Sequence, residues 1–229
     1  MNDSTPNIYA CDEVREIKRL HKDLFNDEFR QLSIREQLDL QAQRILEAHQ
    51  SGDEAVVTHI QCWHPELVGW PATDIMAYDI TLEDARNTIA REYGFADWAD
   101  AETSGAEPPN PDFEAAVDTV VNGDVDGLRS LLERKPSLIY ERSNFGHRST
   151  LLHYVGSNGV ETYRQVVPQN LAEITKILIN AGADVNATAE MYGGSSTTIA
   201  LLITSSHPVD AGTMDEVVKV LVEAGAETD

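Results

Sequence analysis

The strongest constraint on the fold of this chain is a pattern that recurs three times in its C-terminal half. The three stretches begin at Asn122, Leu171 and Asp215, and each reads as a short amphipathic helix with paired aliphatic residues near its end. The second and third run into Ala-Gly-Ala, where Gly182 and Gly225 are suited to end a helix. Because such units bury their apolar faces only by stacking on one another, the sequence predicts an all-α solenoid in this half.

A second motif precedes the middle stretch. Thr150-Leu-Leu-His-Tyr-Val is close to the Thr-Pro-Leu-His-x-Ala signature, and Ala181-Gly-Ala-Asp-Val-Asn-Ala follows the helix that comes next. With these motifs, the C-terminal half resembles an ankyrin-repeat protein. The resemblance implies an α-solenoid of about three repeats over residues 113–229. It also implies that His153 braces neighbouring backbone, and that a partner protein binds to the fingers and the concave face.

The N-terminal residues 1–103 read as a leader of short helix pairs, and no run alternates with the period of a strand. Apolar residues follow helical spacing from Asp12 to Arg30, and Ser33, Asp53 and Thr81 are placed to begin further helices. Residues 1–10 read as an irregular polar start. The stretch from Ala85 to Trp98 is similar to a helical leader that precedes ankyrin repeats in some bacterial proteins, which implies a bacterial source.

A proline-rich connection separates the two halves over residues 104–112. Its three prolines oppose regular structure, and it can be either a flexible linker or a turn pinned by packing. Its short length favours the pinned turn.

Composition restricts the classes of partner. The formal net charge is -22, from 17 basic and 39 acidic residues, which disfavours nucleic acid and anionic membrane surfaces and favours a basic partner protein. Two cysteines do not make a disulfide framework, no stretch is apolar enough to span a bilayer, and no signal peptide is visible. We therefore expect a cytoplasmic protein.

The candidate binding surface combines the predicted fingers with an insertion at 159–170, which separates the two helices of the second repeat. Tyr and Arg side chains dominate many interfaces energetically, although aromatic residues in long loops also pin those loops in place. We expect non-catalytic binding of another protein. The candidate partner-binding residues are Phe145, His147, Arg148, Tyr154, Tyr163, Arg164, Gln165, Met191, Tyr192 and His207.

Two other functions stay open at this point. The insertion and the fingers can instead enclose a pocket for a small ligand or a reaction. Its lining would be Tyr154, Tyr163, Arg164, Tyr192 and His207, and with Glu161 nearby it could hold an acid, a base and an anion clamp. Alternatively, an acidic solenoid can imitate nucleic acid and occupy a basic groove. No nucleophile elbow, zinc-protease motif or phosphate-binding loop is present, so no cofactor is expected.

Two further features of the sequence carry expectations. His59, Cys62 and His64 lie close in sequence, but His64 faces away from the other two and no second ligand pair follows, so no metal site is expected. The last predicted helix carries five aliphatic residues between Val217 and Val222. Since a terminal repeat needs a polar outer face, we expect that end to self-associate or to be covered by the leader.

Overall fold

The computed structural model describes residues 7–228, which form two compact units. The N-terminal unit comprises residues 12–109 together with 144–146, and the C-terminal unit comprises residues 7–11, 110–143 and 147–228. Helix accounts for 60% of the structure and strand for 4%, which confirms the all-α class. Within residues 7–228 no helix has both the length and the apolar character needed to cross a membrane.

The N-terminal unit is built around the contact between its two long amphipathic helices, α3 and α6. Leu38 and Ile45 from α3 and Ile89 from α6 are fully buried. The helices of this unit are α1 (Asp12–His21), α2 (Asp27–Gln31), α3 (Ile34–Ser51), α4 (Val57–Trp63), α5 (Ala72–Ala77), α6 (Leu82–Glu92) and α7 (Trp98–Ser104), with a 3-10 turn at Glu54–Val56.

Capping residues decide where these helices begin. Ser33 and Glu36 form the predicted capping box of α3, and the Asp53 carboxylate accepts a hydrogen bond from the backbone N–H of Ala55 ahead of α4. The apolar spacing from Asp12 to Arg30 suggests one continuous helix, and that expectation is wrong. The chain leaves the helix after His21, and Asn26 starts α2 by accepting a hydrogen bond from the N–H of Phe29 at 2.9 Å.

The connection after α7 is a turn held by backbone hydrogen bonds within the N-terminal unit. The N–H of Ile34 donates to the carbonyl of Glu107, and the N–H of Arg35 donates to the carbonyl of Gly105, both at 3.0 Å. A turn fixed by two such bonds fits the pinned alternative.

The C-terminal unit combines short helices with two small antiparallel ladders. The stretch that contains the Thr150-Leu-Leu-His motif is a tighter 3-10 turn over Leu151–Gly156 and not an α-helix. The elements are β1 (Ile8–Tyr9), α8 (Pro111–Asn122), α9 (Val125–Arg134), β2 (Val167–Pro168), α10 (Leu171–Asn180), β3 (Thr188–Ala189), β4 (Ser196–Thr197), α11 (Thr198–Ile203), α12 (His207–Asp210) and α13 (Met214–Glu223), with 3-10 turns at Pro136–Tyr140, Leu151–Gly156 and Thr162–Arg164.

The helices of this unit pack in three successive pairs. Helix α8 contacts α9, the turn at Leu151–Gly156 contacts α10, and α11 contacts α13. The first members of the pairs also touch in series, from α8 through that turn to α11, and the second members touch in series from α9 through α10 to α13. The unit therefore has two rows of helical elements, each row formed by one member of every pair.

Both ladders are two residues long. Strand β1 pairs with β2 so that Ile8 lies opposite Pro168, and the N–H of Gln169 extends the contact by donating to the carbonyl of Asn7 at 2.9 Å. Residues 1–10 were expected to form no regular structure, which is wrong for Ile8 and Tyr9. Residues 1–6 lie outside the part of the chain that the structure describes. Strands β3 and β4 form a hairpin in which Thr188 lies opposite Thr197.

The last helix hides most of its aliphatic residues. Val217 and Leu221 are fully buried and Val220 is 7% exposed, whereas Val222 is 47% exposed. The apolar surface left on α13 is therefore smaller than the sequence suggested.

Candidate functional site

The insertion between the second pair of helical elements is folded into the C-terminal unit. Val160, Glu161 and Val167 are fully buried. The backbone is held as well, because the hydroxyl of Ser157 donates to the carbonyl of Val166 and the amide of Gln165 donates to the carbonyl of Val160. The expectation of an exposed binding loop at 159–170 is therefore wrong for most of its side chains.

Arg164 fastens this insertion to helix α8. Its Nη1 lies 2.5 Å from Oε2 of Glu114 and 3.2 Å from Oε1 of Glu161, and its Nη2 lies 2.8 Å from Oδ1 of Asp118. Glu114 and Asp118 are four residues apart on α8 and therefore share one face of it. The guanidinium also lies 5.3 Å from the centre of the Tyr163 ring. We call Glu114, Asp118, Glu161 and Arg164 the Arg164 cluster.

The carboxylates of the Arg164 cluster differ in their proton affinity. Burial raises the pKa of Glu114, and this effect exceeds the opposing attraction of Arg164. Burial also acts on Glu161, but Arg164 together with His147 outweighs it and lowers the pKa of that carboxyl. Glu161 is therefore the ionised partner of Arg164 at neutral pH, and Glu114 takes up a proton more readily than Glu161 does.

The cluster meets the chemical requirement of the pocket alternative but not its requirement for access. The hydroxyl of Tyr154 donates to Oε1 of Glu161 at 3.5 Å, so an acid, a base and a cation do meet. However, Tyr154, Glu161 and Arg164 expose between 0% and 3% of their surface. A substrate cannot reach side chains buried to this degree, and the arrangement acts as a fastener for the insertion.

Six of the ten predicted partner-binding residues are buried, which corrects the predicted surface. Phe145 belongs to the N-terminal unit, where its ring packs edge-on against Tyr93 with the ring centres 4.8 Å apart. The others are interior residues of the C-terminal unit, since apolar packing or hydrogen bonds turn their side chains inward. The buried six are Phe145, His147, Tyr154, Arg164, Gln165 and Met191.

The remaining predicted residues lie at or near the surface. Arg148 is exposed and Tyr192 is 64% exposed, while Tyr163 and His207 are half-buried. The hydroxyl of Tyr192 donates to Oδ1 of Asn158 at 2.6 Å, so this side chain pins its loop and still presents its ring to solvent. His207 begins α12.

The two exposed residues stand on a braced backbone. Nη1 of Arg142 donates to the carbonyl of Arg148 at 2.8 Å and to the carbonyl of Thr188 at 2.7 Å. The N–H of Glu190 donates to the carbonyl of His147 at 2.8 Å. These bonds tie the turn that carries Arg148 to the β3–β4 hairpin, whose tip carries Tyr192. We call Arg148 and the hairpin tip at 190–195 the finger surface.

Backbone strain concentrates around this surface. Within residues 7–228, the non-glycine residues with positive φ are Arg148, Ser157, Tyr192 and Ser195, with φ between 45° and 61°. Three of them belong to the finger surface, and Ser157 precedes Asn158, which anchors Tyr192. Such conformations cost on the order of 1–3 kcal/mol each and tend to occur where a protein binds or reacts.

His153 has the bracing role that the resemblance implies. Its Nδ1 accepts a hydrogen bond from the N–H of Thr150 at 3.1 Å, and its Nε2 lies 3.1 Å from the carbonyl of Ala187, to which it donates. Burial lowers the pKa of the ring to about 4, so the ring is neutral at pH 7. His153 thereby links the start of the 3-10 turn to the backbone ahead of the β3–β4 hairpin.

The residues around His59 in the N-terminal unit serve separate structural purposes. His59 is buried against His21 and Glu92, Cys62 is exposed, and Nδ1 of His64 accepts from the N–H groups of Glu66 and Leu67. Across residues 7–228 no group of three or more His, Cys, Asp or Glu side chains is arranged to hold a metal ion.

Comparisons of this chain with protein-family models, with curated proteins and with solved structures find no match.

Proposed function

We propose that the C-terminal unit is a stack of ankyrin-type repeats that binds another protein, without catalysis, through the finger surface. The proposal narrows the surface expected from sequence, because the inserted loop and six of the predicted residues are buried. Arg148 and Tyr192 remain as its central side chains.

Three structural features support an ankyrin-type arrangement. The helical elements pack in successive pairs that contact one another row by row. Thr150 and His153 make the local hydrogen bonds expected of the signature motif. The β3–β4 hairpin projects between the second and third pairs, at the position that a finger occupies in such repeats.

The observation that carries the proposal is the strained and braced backbone of the finger surface. Arg148 and Tyr192 adopt positive φ values of 53° and 50°, although each has a bulky side chain that disfavours this region. Glycine adopts the same φ without strain, so the strained position is occupied for its side chain, which in Tyr192 both pins the loop to Asn158 and presents a ring to solvent. A rigid backbone that holds an aromatic ring and a guanidinium towards solvent lowers the ordering cost of binding.

The test is affinity capture of partners from a lysate of the source organism, quantified by mass spectrometry and repeated with purified components by calorimetry. The test variant is Arg148→Ala with Tyr192→Ala. The control variant is Arg134→Ala with Tyr140→Ala, which removes the same two residue types from exposed positions of the same unit. We expect a partner that is bound by the wild type and the control, and bound at least roughly tenfold more weakly by the test variant.

Two outcomes contradict the proposal. One is a partner whose affinity is the same for both double variants, which places its site elsewhere. The other is turnover of a small molecule by the purified protein that is lost on Glu161→Gln, which returns the Arg164 cluster to a catalytic role.

A further inference from the structure

A second surface, on the N-terminal unit, exposes large apolar side chains within a short segment. Val68 is 54% exposed, Trp70 is 42% exposed and Tyr78 is 36% exposed. Pro65 and Pro71 flank the first two and are exposed as well. Apolar side chains grouped in this way mark sites of interaction more often than scattered ones do.

The segment that carries these residues is anchored from beneath. Leu67, Ile75 and Ile80 are buried, with at most 4% of their surface exposed. The side-chain amide of Gln61 donates to the carbonyl of Trp70, and the N–H of Gly69 donates to the carbonyl of Gln61, both at 2.9 Å. Because Leu67, Ile75 and Ile80 are fixed in the core, they limit how far the segment with the exposed side chains can move.

The exposed rings form a corner. The centres of the Trp70 and Tyr78 rings lie 6.3 Å apart with an angle of 84° between their planes. Tyr78 also meets His64, with the ring centres 6.1 Å apart and 71° between the planes. Rings arranged edge to face leave parts of their negative π surfaces open, and such surfaces attract ammonium and guanidinium groups.

The segment that forms the corner carries charge of one sign, and Arg91 from α6 lies near enough to His64 to lower the pKa of that ring. Residues 45–85 contain eight Asp and Glu residues and no Lys or Arg. Glu66, Asp74 and Asp79, the acidic residues nearest in sequence to the rings, are exposed, and none forms an ion pair with another residue of the described range 7–228. Their charges therefore act on an incoming molecule and are not neutralised within the protein.

We propose that Val68, Trp70 and Tyr78, together with Glu66, Asp74 and Asp79, bind a basic segment of another protein. We call these six residues the aromatic–acidic patch. A Lys or Arg side chain lies against the ring corner and is attracted by the carboxylates, and an aliphatic neighbour covers Val68. A second copy of this chain is a poor occupant, since two molecules that each carry a net charge of -22 repel one another.

This inference stands apart from the function proposed for the C-terminal unit. The finger surface lies on the other unit, and its variants leave the aromatic–acidic patch intact. Each partner is therefore measured with the finger-surface variant and with the patch variants. A negative result for one surface then says nothing against the other.

The experiment uses the full chain and two synthetic peptides of equal length, one alternating Lys with Leu and one alternating Glu with Leu. Binding is followed by fluorescence anisotropy at low and moderate salt. We expect the basic peptide alone to bind, and Trp70→Ala to weaken it by roughly tenfold. We expect Asp74→Asn with Asp79→Asn to weaken binding and to reduce its dependence on salt.

A matched control separates the patch from the overall charge. Glu28→Gln with Glu102→Gln removes the same number of charges from exposed positions of the same unit. If this control weakens binding as much as the patch variant does, diffuse attraction explains the result and the proposal fails. Val68→Ser repeats the test at the most exposed of the three apolar side chains, and circular dichroism establishes that each variant is folded.

Two further results overturn the proposal. Equal affinity for the acidic and basic peptides removes the argument from charge. A wild-type dimer in sedimentation velocity that Trp70→Ala converts to a monomer shows that a second copy covers the patch instead.

Discussion

The Nε2 atoms of His21 and His59 lie 3.1 Å apart in the core of the N-terminal unit. The Nδ1 of His59 bonds to Oε2 of Glu92. With two neutral rings, His59 donates to the carboxylate through Nδ1–H and accepts from Nε2–H of His21. The Nδ1 of His21 is then an acceptor without a hydrogen-bond partner among the described residues. A second proton on His21 would turn its Nδ1 into a buried N–H with no acceptor among the described residues.

Acid is therefore expected to destabilise the N-terminal unit through His21. Burial, with smaller contributions from His59 and Arg44, holds the pKa of His21 well below its usual value and outweighs the opposing effect of Asp23. As the pH falls below about 6.5, the unfolded chain binds a proton that the folded chain does not, so stability is lost. In urea titrations between pH 7.5 and 5, His21→Phe should lose less stability than the wild type, by up to about 1.4 kcal/mol per pH unit. The prediction would be contradicted if the wild type and His21→Phe lost the same free energy of unfolding over this pH range.

Acid should also destabilise the C-terminal unit through His153, and the folded pKa of this ring sets an upper limit to the loss of stability. Its folded pKa is about 4, so the stability linked to the neutral ring is complete above about pH 6.5 and is lost as the pH falls towards 4. The loss approaches about 3 kcal/mol at the acidic end. His153→Ala should therefore cost about 2 kcal/mol or more at pH 7, because two buried hydrogen bonds are lost, and much less near pH 4. If the free-energy cost of His153→Ala did not vary with pH, the lowered pKa of His153 would be contradicted.

Removing the cation of the Arg164 cluster should be more harmful than removing an exposed one. Arg164→Met leaves the fully buried Glu161 and the 8% exposed Glu114 without a counter-charge, and the expected loss is about 3–5 kcal/mol. Arg129→Met is the control, since Arg129 pairs with Glu173 where both side chains are about half exposed, and its loss should stay below about 1 kcal/mol. The loss in the Arg164 variant should shrink as the pH falls, because carboxyls that have lost their cation take up protons more readily than those of the wild type. Chemical denaturation at two pH values measures both effects, and equal losses in the two variants would refute the buried role.

Gly146 lies in a close backbone contact within the N-terminal unit. A Cβ added there would lie 2.5 Å from the carbonyl oxygen of Gly94 and would also overlap the backbone of Phe95. Gly146→Ala should lower the thermal midpoint markedly, with a cost of about 1–3 kcal/mol or more, because backbone must move. Gly69→Ala tests strain without crowding, since φ is +77° and no atom lies within 4 Å, and it should cost about 1 kcal/mol. The thermal midpoint of Gly146→Ala should lie below that of Gly69→Ala, and the opposite order would contradict the argument from backbone crowding.

The pairing of β1 with β2 predicts a local effect of truncation. The N–H of Gln169 donates to the carbonyl of Asn7, so removal of residues 1–9 takes away its acceptor. Hydrogen exchange should accelerate at Gln169 and remain unchanged at the amides of α13. Slow exchange at Gln169 in the truncated protein would mean that the insertion is protected without β1.

The helices could be predicted from the sequence wherever local chemistry sets their ends. The capping box at Ser33 and Glu36, the Asn-Gly end of α8 and the span of α10 need only residues that are close in sequence. In contrast, the interruption between α1 and α2 could not be predicted from apolar spacing. The apolar residues continue at helical spacing through this segment, although Asn26 begins a new helix there.

The candidate site was much less predictable, because long-range contacts decide it. Arg164 meets Glu114 across 50 positions of sequence, and nothing local distinguishes a buried arginine from an exposed one. Phe145 was expected on a finger surface but packs against Tyr93, which a local pattern does not reveal. The aromatic–acidic patch did have a visible signal in the complete absence of Lys and Arg between Ile45 and Ala85.

The pairing of residues 7–9 with the C-terminal unit has a consequence for folding during synthesis. Tyr9 bonds to Asp210 across 201 positions, and all of the N-terminal unit lies between them in the chain. On the ribosome, the β1 segment emerges long before its partner strand exists. It must stay unpaired while the helices that follow it fold, and in that interval its free edge is open to other nascent chains. The closure of the C-terminal unit by β1 is accordingly a late event, because its partner Pro168 lies 160 positions (168 − 8) further along the chain than Ile8.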